Sequence, residues 1–274
     1  MDFLRPLGAT GMRVSAIGLG TVKLGRTEGL NYPSTFTIPS DAAATEVLAA
    51  AADLGINLID TAPAYGTSES RLGELMKRHA WFGGRDRWIV STKVGEEFEN
   101  ARSRFDFSPN AVTASVHRSL ARLGVDALDL VLIHSSGDDE NILRHSGAVE
   151  ALADLKRRGT VRAIGISSKT VAGGLLALEL GLDVLMIAFN ASDDSQRPVL
   201  LEAKRRNAGI LIKKGLASGH AAVAGASADP VRHAMSFVFN AVPSAVSSIV
   251  VGTINPAHLR ENVETARALL SNAP

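Results

Sequence analysis

Short, nearly uninterrupted apolar runs alternate along the chain with longer stretches of helical period. The runs are Val14–Thr21, Asn57–Ala62, Trp88–Val94, Leu128–His134, Val161–Ser167, Asp183–Asn190, Gly209–Leu216 and Ser248–Ile254. Runs such as Val131-Leu132-Ile133 are apolar at adjacent positions, the composition of a parallel strand covered on both faces. The segments between them have helix ends. Ser40-Asp41 opens one that stops at Gly55, and Ser68 precedes another over Arg71–His79. Ser108-Pro109 pairs an N-cap with proline at the first helical position, and that helix stops at Gly124. Asn255-Pro256 repeats the device before a last helix over His258–Leu270, and Gly159, Gly181 and Gly209 close others. In Ala148–Arg158, Val149, Leu152, Ala153 and Leu155 make one stripe, with basic residues at the C-terminal end where the helix dipole favours them.

Eight strand-then-helix units with no linker between them predict a (β/α)8 barrel, one domain spanning residues 1–274. The rival is a doubly wound open sheet, which carries a glycine fingerprint at its first strand-to-helix turn. Here that turn reads Gly18-Leu19-Gly20-Thr21-Val22-Lys23-Leu24-Gly25 and does not match. Phe3–Leu7 and Met12–Val14, around Gly8-Ala9-Thr10-Gly11, predict a hairpin ahead of the first barrel strand.

Composition narrows the chemistry. The 274 residues contain no cysteine, which removes disulfides, thiolate metal sites and thiol nucleophiles. The histidines show no metal-ligand spacing, so no metal is expected. A net charge of +1 gives no general attraction to nucleic acid or anionic membrane. The longest stretch free of acidic and basic residues, Ala234–Ala257, holds Asn240, Pro243, Asn255 and four serines, too polar to span a bilayer. The first residues have no apolar signal core. The expectation is a cytoplasmic protein, monomeric or a small homo-oligomer, acting on a small molecule.

In a barrel, chemistry gathers at the C-terminal ends of the strands. Asp60 ends Ile56-Asn57-Leu58-Ile59, and Tyr65 follows in the loop. Lys93 ends Ile89-Val90-Ser91-Thr92, and His134 ends Leu130-Val131-Leu132-Ile133. Singly, each has an ordinary structural role. Together, on the second, third and fourth strands, they converge on one mouth. Their joint sense is proton donation. A phenol is a poor acid at neutral pH until an ammonium stabilises its anion, and an aspartate keeps that ammonium charged. A neutral histidine can hydrogen-bond a carbonyl oxygen. Such a set suits protonation of an oxyanion as hydride reaches carbon.

The run Asp60-Thr-Ala-Pro-Ala-Tyr65-Gly66, then Glu69-Ser70-Arg71-Leu72-Gly73, Ser91-Thr92-Lys93 and Leu132-Ile133-His134, resembles the aldo-keto reductases over nearly the whole chain. The resemblance implies a (β/α)8 barrel binding NADPH, with NADH as the alternative, and reversible hydride transfer to a carbonyl. It implies Tyr65 as general acid, Lys93 and Asp60 as its tuners, and His134 as a group orienting the carbonyl. For the cofactor it points to Gly20, Thr21 and Asp60, and to Ser167 and Ser168 where relatives hold the carboxamide. Met186 stands where Gln is common. On strand seven, Lys213-Lys214-Gly215-Leu216 replaces a stacking tyrosine; Lys213 or Lys214 could face the pyrophosphate, with Lys214, Gly215, Leu216 and Ser218 as contacts. Gly252, Thr253, His258 and Asn262 fall at the adenosine phosphate end, with Gly252 and His258 where many relatives have Lys and Arg. Tyr32 and Phe36, with Phe98, Phe105 and Phe107, stand in loops expected to roof the substrate pocket. Two rivals are a Schiff-base aldolase using Lys93 or Lys213, and a cofactor-sensing subunit with little turnover.

Overall fold

The structure is a computed structural model, describing residues 3–30, 32–79, 87–217 and 229–271. Eight parallel strands close into a barrel: β3 (Ile17–Gly20), β4 (Leu58–Asp60), β5 (Ile89–Val94), β8 (Leu128–His134), β9 (Val161–Ser167), β10 (Val184–Ala188), β11 (Gly209–Lys213) and β12 (Ser248–Val251), with β12 pairing back onto β3. Each predicted run holds one of these strands.

The predicted hairpin forms as β1 (Leu4–Pro6) and β2 (Arg13–Ser15), paired antiparallel. Its apolar side chains Leu7, Met12 and Val14 join the barrel's interior cluster with Leu58, Leu130, Leu132, Ala163, Val184, Met186 and Leu211. The hairpin therefore plugs the N-terminal end of the barrel, leaving the C-terminal end open for ligands. A Cβ on Gly8 would lie 2.3 Å from Gly209 N, and Gly8 has φ +56, so glycine is required where the plug meets β11.

Helices α1 (Asp41–Asp53), α2 (Ser68–Arg78), α3 (Pro109–Leu123), α4 (Asp139–His145), α5 (Ala148–Arg157), α6 (Val171–Glu179), α7 (Arg197–Arg206), α8 (Pro230–Ala241) and α9 (Pro256–Ser271) are described outside the sheet. The Ser40 hydroxyl accepts from Ala43 N, and Ser108 does the same for Ala111 N. Gly124 ends α3 in the left-handed region. Three expectations are corrected. The helix expected over Arg71–His79 begins earlier, with Ser68 as its first residue, the Ser68 hydroxyl donating to Thr21 O at 2.9 Å. Gly209 does not close α7; Asn207 does, at φ 55, because an Asx side chain tolerates that region, and Gly209 begins β11. The segment after β5 is not irregular loop but a second hairpin, β6 (Glu96–Glu99) with β7 (Arg102–Phe105). Glu97 faces Arg104 and Glu99 faces Arg102 across it, opposite charges that favour the pairing.

Candidate active site

Strand parity decides which side chains reach the mouth. Leu58, Ile89, Leu130, Leu132, Ala163, Met186 and Leu211 pack with the interior cluster. Counting on in steps of two along the strands leads to Asp60, Lys93, His134, Ser167 and Lys213. Adjacent registers, Gly20 with Asp60 and His134 with Ser167, gather these positions in one ring.

At its centre, the Lys93 ammonium donates to Asp60 Oδ1 and Oδ2 at 2.7 and 2.8 Å and to Thr61 O at 2.9 Å. The same ammonium lies 4.8 Å from the centre of the Tyr65 ring, so its charge acts directly on the phenol. Ser91 Oγ donates to Asp60 Oδ1 at 3.0 Å, so the carboxylate is held on two sides. Lys93 is 1% exposed: it does not snorkel, and the pair is fully interior. Burial alone would depress the ammonium; the Asp60 charge and the Tyr65 oxygen outweigh it and hold Lys93 above the usual lysine value. Tyr65 ends a short 3-10 turn, Pro63–Tyr65. Gly66 follows at φ 63, where a Cβ would lie 2.2 Å from Gly25 O, so this glycine locks the tyrosine turn against the β3 loop. Burial pushes the phenol up to about 12, outweighing the downward pull of Lys93. Lys93 thus acts in the expected direction, but desolvation wins, and Tyr65 carries its proton at neutral pH.

His134 stands edge-on to Tyr65, ring centroids 6.2 Å apart. Its Nδ1 lies 2.8 Å from Glu96 Oε2, off the ideal N–H direction. Burial lowers the histidine below its usual value, with the Lys93 and Lys213 charges, and Glu96 opposes them. Burial would raise Glu96, but His134, the Ser103 hydroxyl and Arg26 bring it down to about 2. Sequence reasoning missed Glu96 because it missed the hairpin that carries it.

A cavity of about 860 Å³ opens here. It is lined by Gly20, Thr21, Asp60, Tyr65, His134 and Ser167, by Lys214, Gly215 and Leu216, and by Gly252, Thr253, His258 and Asn262, with Gly252 against Gly20 where β12 meets β3. Ser168 is not part of this lining; its hydroxyl is buried without a hydrogen-bond partner among the described residues. Ser218 falls outside the described residues. Of the two strand-seven lysines, Lys213 is the one turned inward. Its ammonium donates to Ser167 Oγ at 2.8 Å and Ser168 O at 2.9 Å, while Lys214 is exposed at φ 57. Burial lowers Lys213 to about 7, helped by Lys93, Lys214 and Lys169. Tyr32 and Lys23 also line the cavity, the ammonium 4.0 Å from the ring centroid. Of the other loop aromatics, Phe36 packs edge-on against Tyr32, Phe98 lies 3.4 Å beneath the Arg26 guanidinium, and Phe105 stacks on Phe107. None of these four lines the cavity. Glu261, unanticipated as a site residue, lines it beside Asn262.

A model of the Aldo/keto reductase family matches residues 16–220, a span holding the whole Asp60, Tyr65, Lys93 and His134 set. The chain is an aldo/keto reductase. A solved structure of such an enzyme from Pseudomonas aeruginosa is 49% identical, with a TM-score of 0.86 over 98% of this chain and 96% of its own. L-galactose dehydrogenase of Arabidopsis thaliana is 31% identical over 98% of this chain and 89% of its own length. An NADH-specific methylglyoxal reductase of Escherichia coli is 31% identical over 76% of this chain and 65% of its own. The chain spans 58–89% of the length of the first curated relatives it matches. As an aldo/keto reductase it is an oxidoreductase of the nicotinamide-dependent kind. No described helix is long and apolar enough to cross a membrane, and no cluster of potential metal ligands occurs among the described residues.

Proposed function

We propose that residues 1–274 work as one barrel reducing an aldehyde, ketone or open sugar reversibly to an alcohol, with Tyr65 as general acid. The observation that carries this reading is the buried Asp60–Lys93 pair beside Tyr65, at a cavity that Tyr65 and His134 line together with Thr253, His258 and Asn262. When bound, the nicotinamide supplies or accepts the hydride. The protein's part is to place the carbonyl oxygen between Tyr65 and His134 and to hold a proton at the phenol. As negative charge grows on that oxygen, the phenol proton moves to it, and the Lys93 ammonium stabilises the phenolate left behind. Asp60 keeps Lys93 charged through the exchange. Loss of nicotinamide absorbance with a panel of aldehydes, sugars and ketones tests the reading; tight cofactor binding with no turnover would instead indicate a sensing subunit. Its setting is the cytoplasm, its partner a carbonyl substrate, and its state a monomer or small homo-oligomer.

For the cofactor, Gly20, Thr21, Ser167 and Ser168 are assigned to the nicotinamide end, and Thr253, His258 and Asn262 to the adenosine end. There, α9 directs its first N–H groups outward, one already taken by Asn255 Oδ1 at 2.9 Å from Ala257 N. NADPH is the first reading. It predicts a lower dissociation constant for NADPH than for NADH, with a preference that shrinks as salt rises, because the difference is charge on charge. The Glu261 carboxylate on the same wall favours the second reading, NADH, since it repels a 2′-phosphate and accepts from a free ribose hydroxyl. Equal or reversed constants at low salt select that reading.

The rival Schiff-base reading would use Lys213, whose ammonium burial depresses. Borohydride with a carbonyl substrate would then label Lys213. We expect no label, because its two hydrogen bonds hold the nitrogen against β9.

A further inference from the structure

The reduction reading requires His134 to serve a carbonyl oxygen, which can only accept a hydrogen bond. What His134 can offer depends on its second nitrogen. Nδ1 lies 2.8 Å from a carboxylate that is itself fixed: Glu96 Oε1 accepts from Ser103 Oγ at 2.5 Å, and the Arg26 charge stands nearby. An ionised carboxylate only accepts, so Nδ1 must carry the proton. The neutral ring then presents a bare lone pair at Nε2. The side chain is 18% exposed, and the residue lines the cavity, so this second nitrogen is the one left to meet a ligand.

We infer that Glu96 is a positioning residue that makes His134 discriminate between the two redox forms of the substrate by protonation. The inference rests on the hydride-transfer reading above. Neutral His134 accepts a hydrogen bond from the alcohol's hydroxyl. The carbonyl form finds a donor at Nε2 only when the ring takes up a second proton, giving an imidazolium held at Nδ1 by Glu96. Carbonyl binding is therefore coupled to uptake of one proton and alcohol binding is not. The groups facing the ring are Glu96 from β6, Lys93 from β5, Lys213 from β11 and the Tyr65 phenol, with Arg26 behind Glu96. Burial and the two lysines favour the neutral ring, with Glu96 opposing them, so the second proton is taken up at a cost that carbonyl binding has to meet.

In the wild type, the aldehyde KM should rise with pH once the ring is neutral, approaching about tenfold per pH unit, one proton per binding event. The alcohol KM in the reverse reaction should stay flat. Glu96→Gln, whose amide can accept from Nδ1–H or donate to a bare Nδ1, should abolish the aldehyde slope. Two-bond 1H–15N spectra of histidine-labelled protein, with His134→Gln to assign the signal, supply a readout independent of turnover. The neutral wild-type ring should be the Nδ1–H tautomer, and Glu96→Gln should populate Nε2–H. A neutral Nε2–H tautomer in the wild type, or equal aldehyde slopes in wild type and Glu96→Gln, overturns the inference. Absence of turnover with every aldehyde overturns the reductase reading instead, while the tautomer measurement still decides the role of Glu96.

Discussion

Tyr65→Phe should leave the barrel folded and the cofactor bound while reduction falls by ~10²–10⁴-fold, the range general acid catalysis supplies. The substitution removes one oxygen and its transferable proton. The ring still packs edge-on to His134, and Lys93 keeps Asp60 and Thr61 O as acceptors. Neither His134 nor Lys213 can replace it as a neutral donor: His134 has its proton on the Glu96 side, and Lys213 is bonded to Ser167 and Ser168. The measurement is steady-state reduction of one good aldehyde beside a cofactor titration. Turnover within a few-fold of wild type would remove Tyr65 from the mechanism.

Lys93→Met should lower turnover to nearly the same level, and the double variant should be little worse than either single change. Residues that act as a unit are not additive. The phenol already stands at about 12 with the ammonium beside it, so removing that charge drives it higher still and weakens the acid. The change also leaves the Asp60 carboxylate buried with Ser91 as its side-chain donor, a loss of ~3–5 kcal/mol for a broken interior pair. The cycle therefore has to be run well below the melting transition of each variant. Fully additive losses, or a Lys93→Met enzyme with normal turnover, would show that these side chains do not form an acid and its tuner. An aldolase would give the opposite pattern, with covalent trapping abolished by Lys93→Met and spared by Tyr65→Phe.

The barrel was readable because its strands are apolar on both faces, and such runs, bounded by caps and glycines, resist other interpretations. That same property hid which strand-end residue turns inward. Along Gly209–Lys213, Ile210 and Ile212 pack outward against the helices and Leu211 packs inward, so the pattern of polarity does not separate Lys213 from Lys214. Only the interior position of Leu211 does so, and that comes from the fold. The β6–β7 hairpin was illegible for another reason. Its turn places Asn100 and Ala101 at φ 51 and 60, the primed geometry usually marked by Asn-Gly, and alanine gives no such signal. Its strands are largely exposed and charged, so no apolar alternation announces them. Glu96 went unseen with it. Asp60, Lys93 and His134 were found because polar residues interrupt the strand ends, Tyr65 because it follows in the adjoining loop, and all four because their surrounding sequence resembles one family.

That hairpin ties the thermal tolerance of activity to something other than the barrel. β7 is exposed throughout, and the hairpin is anchored by Phe107 against Gly95, Phe98 under Arg26 and a Glu97–Arg118 pair. A segment with so little buried apolar surface opens locally at a small fraction of the global unfolding free energy. Opening withdraws Glu96 from His134 without disturbing Asp60, Lys93 or the closed sheet. The expected result is that activity on heating falls before the barrel's circular dichroism signal does, a ceiling set by a surface ribbon of ten residues, Glu96–Phe105; coincident transitions would show that the ribbon opens only with the fold.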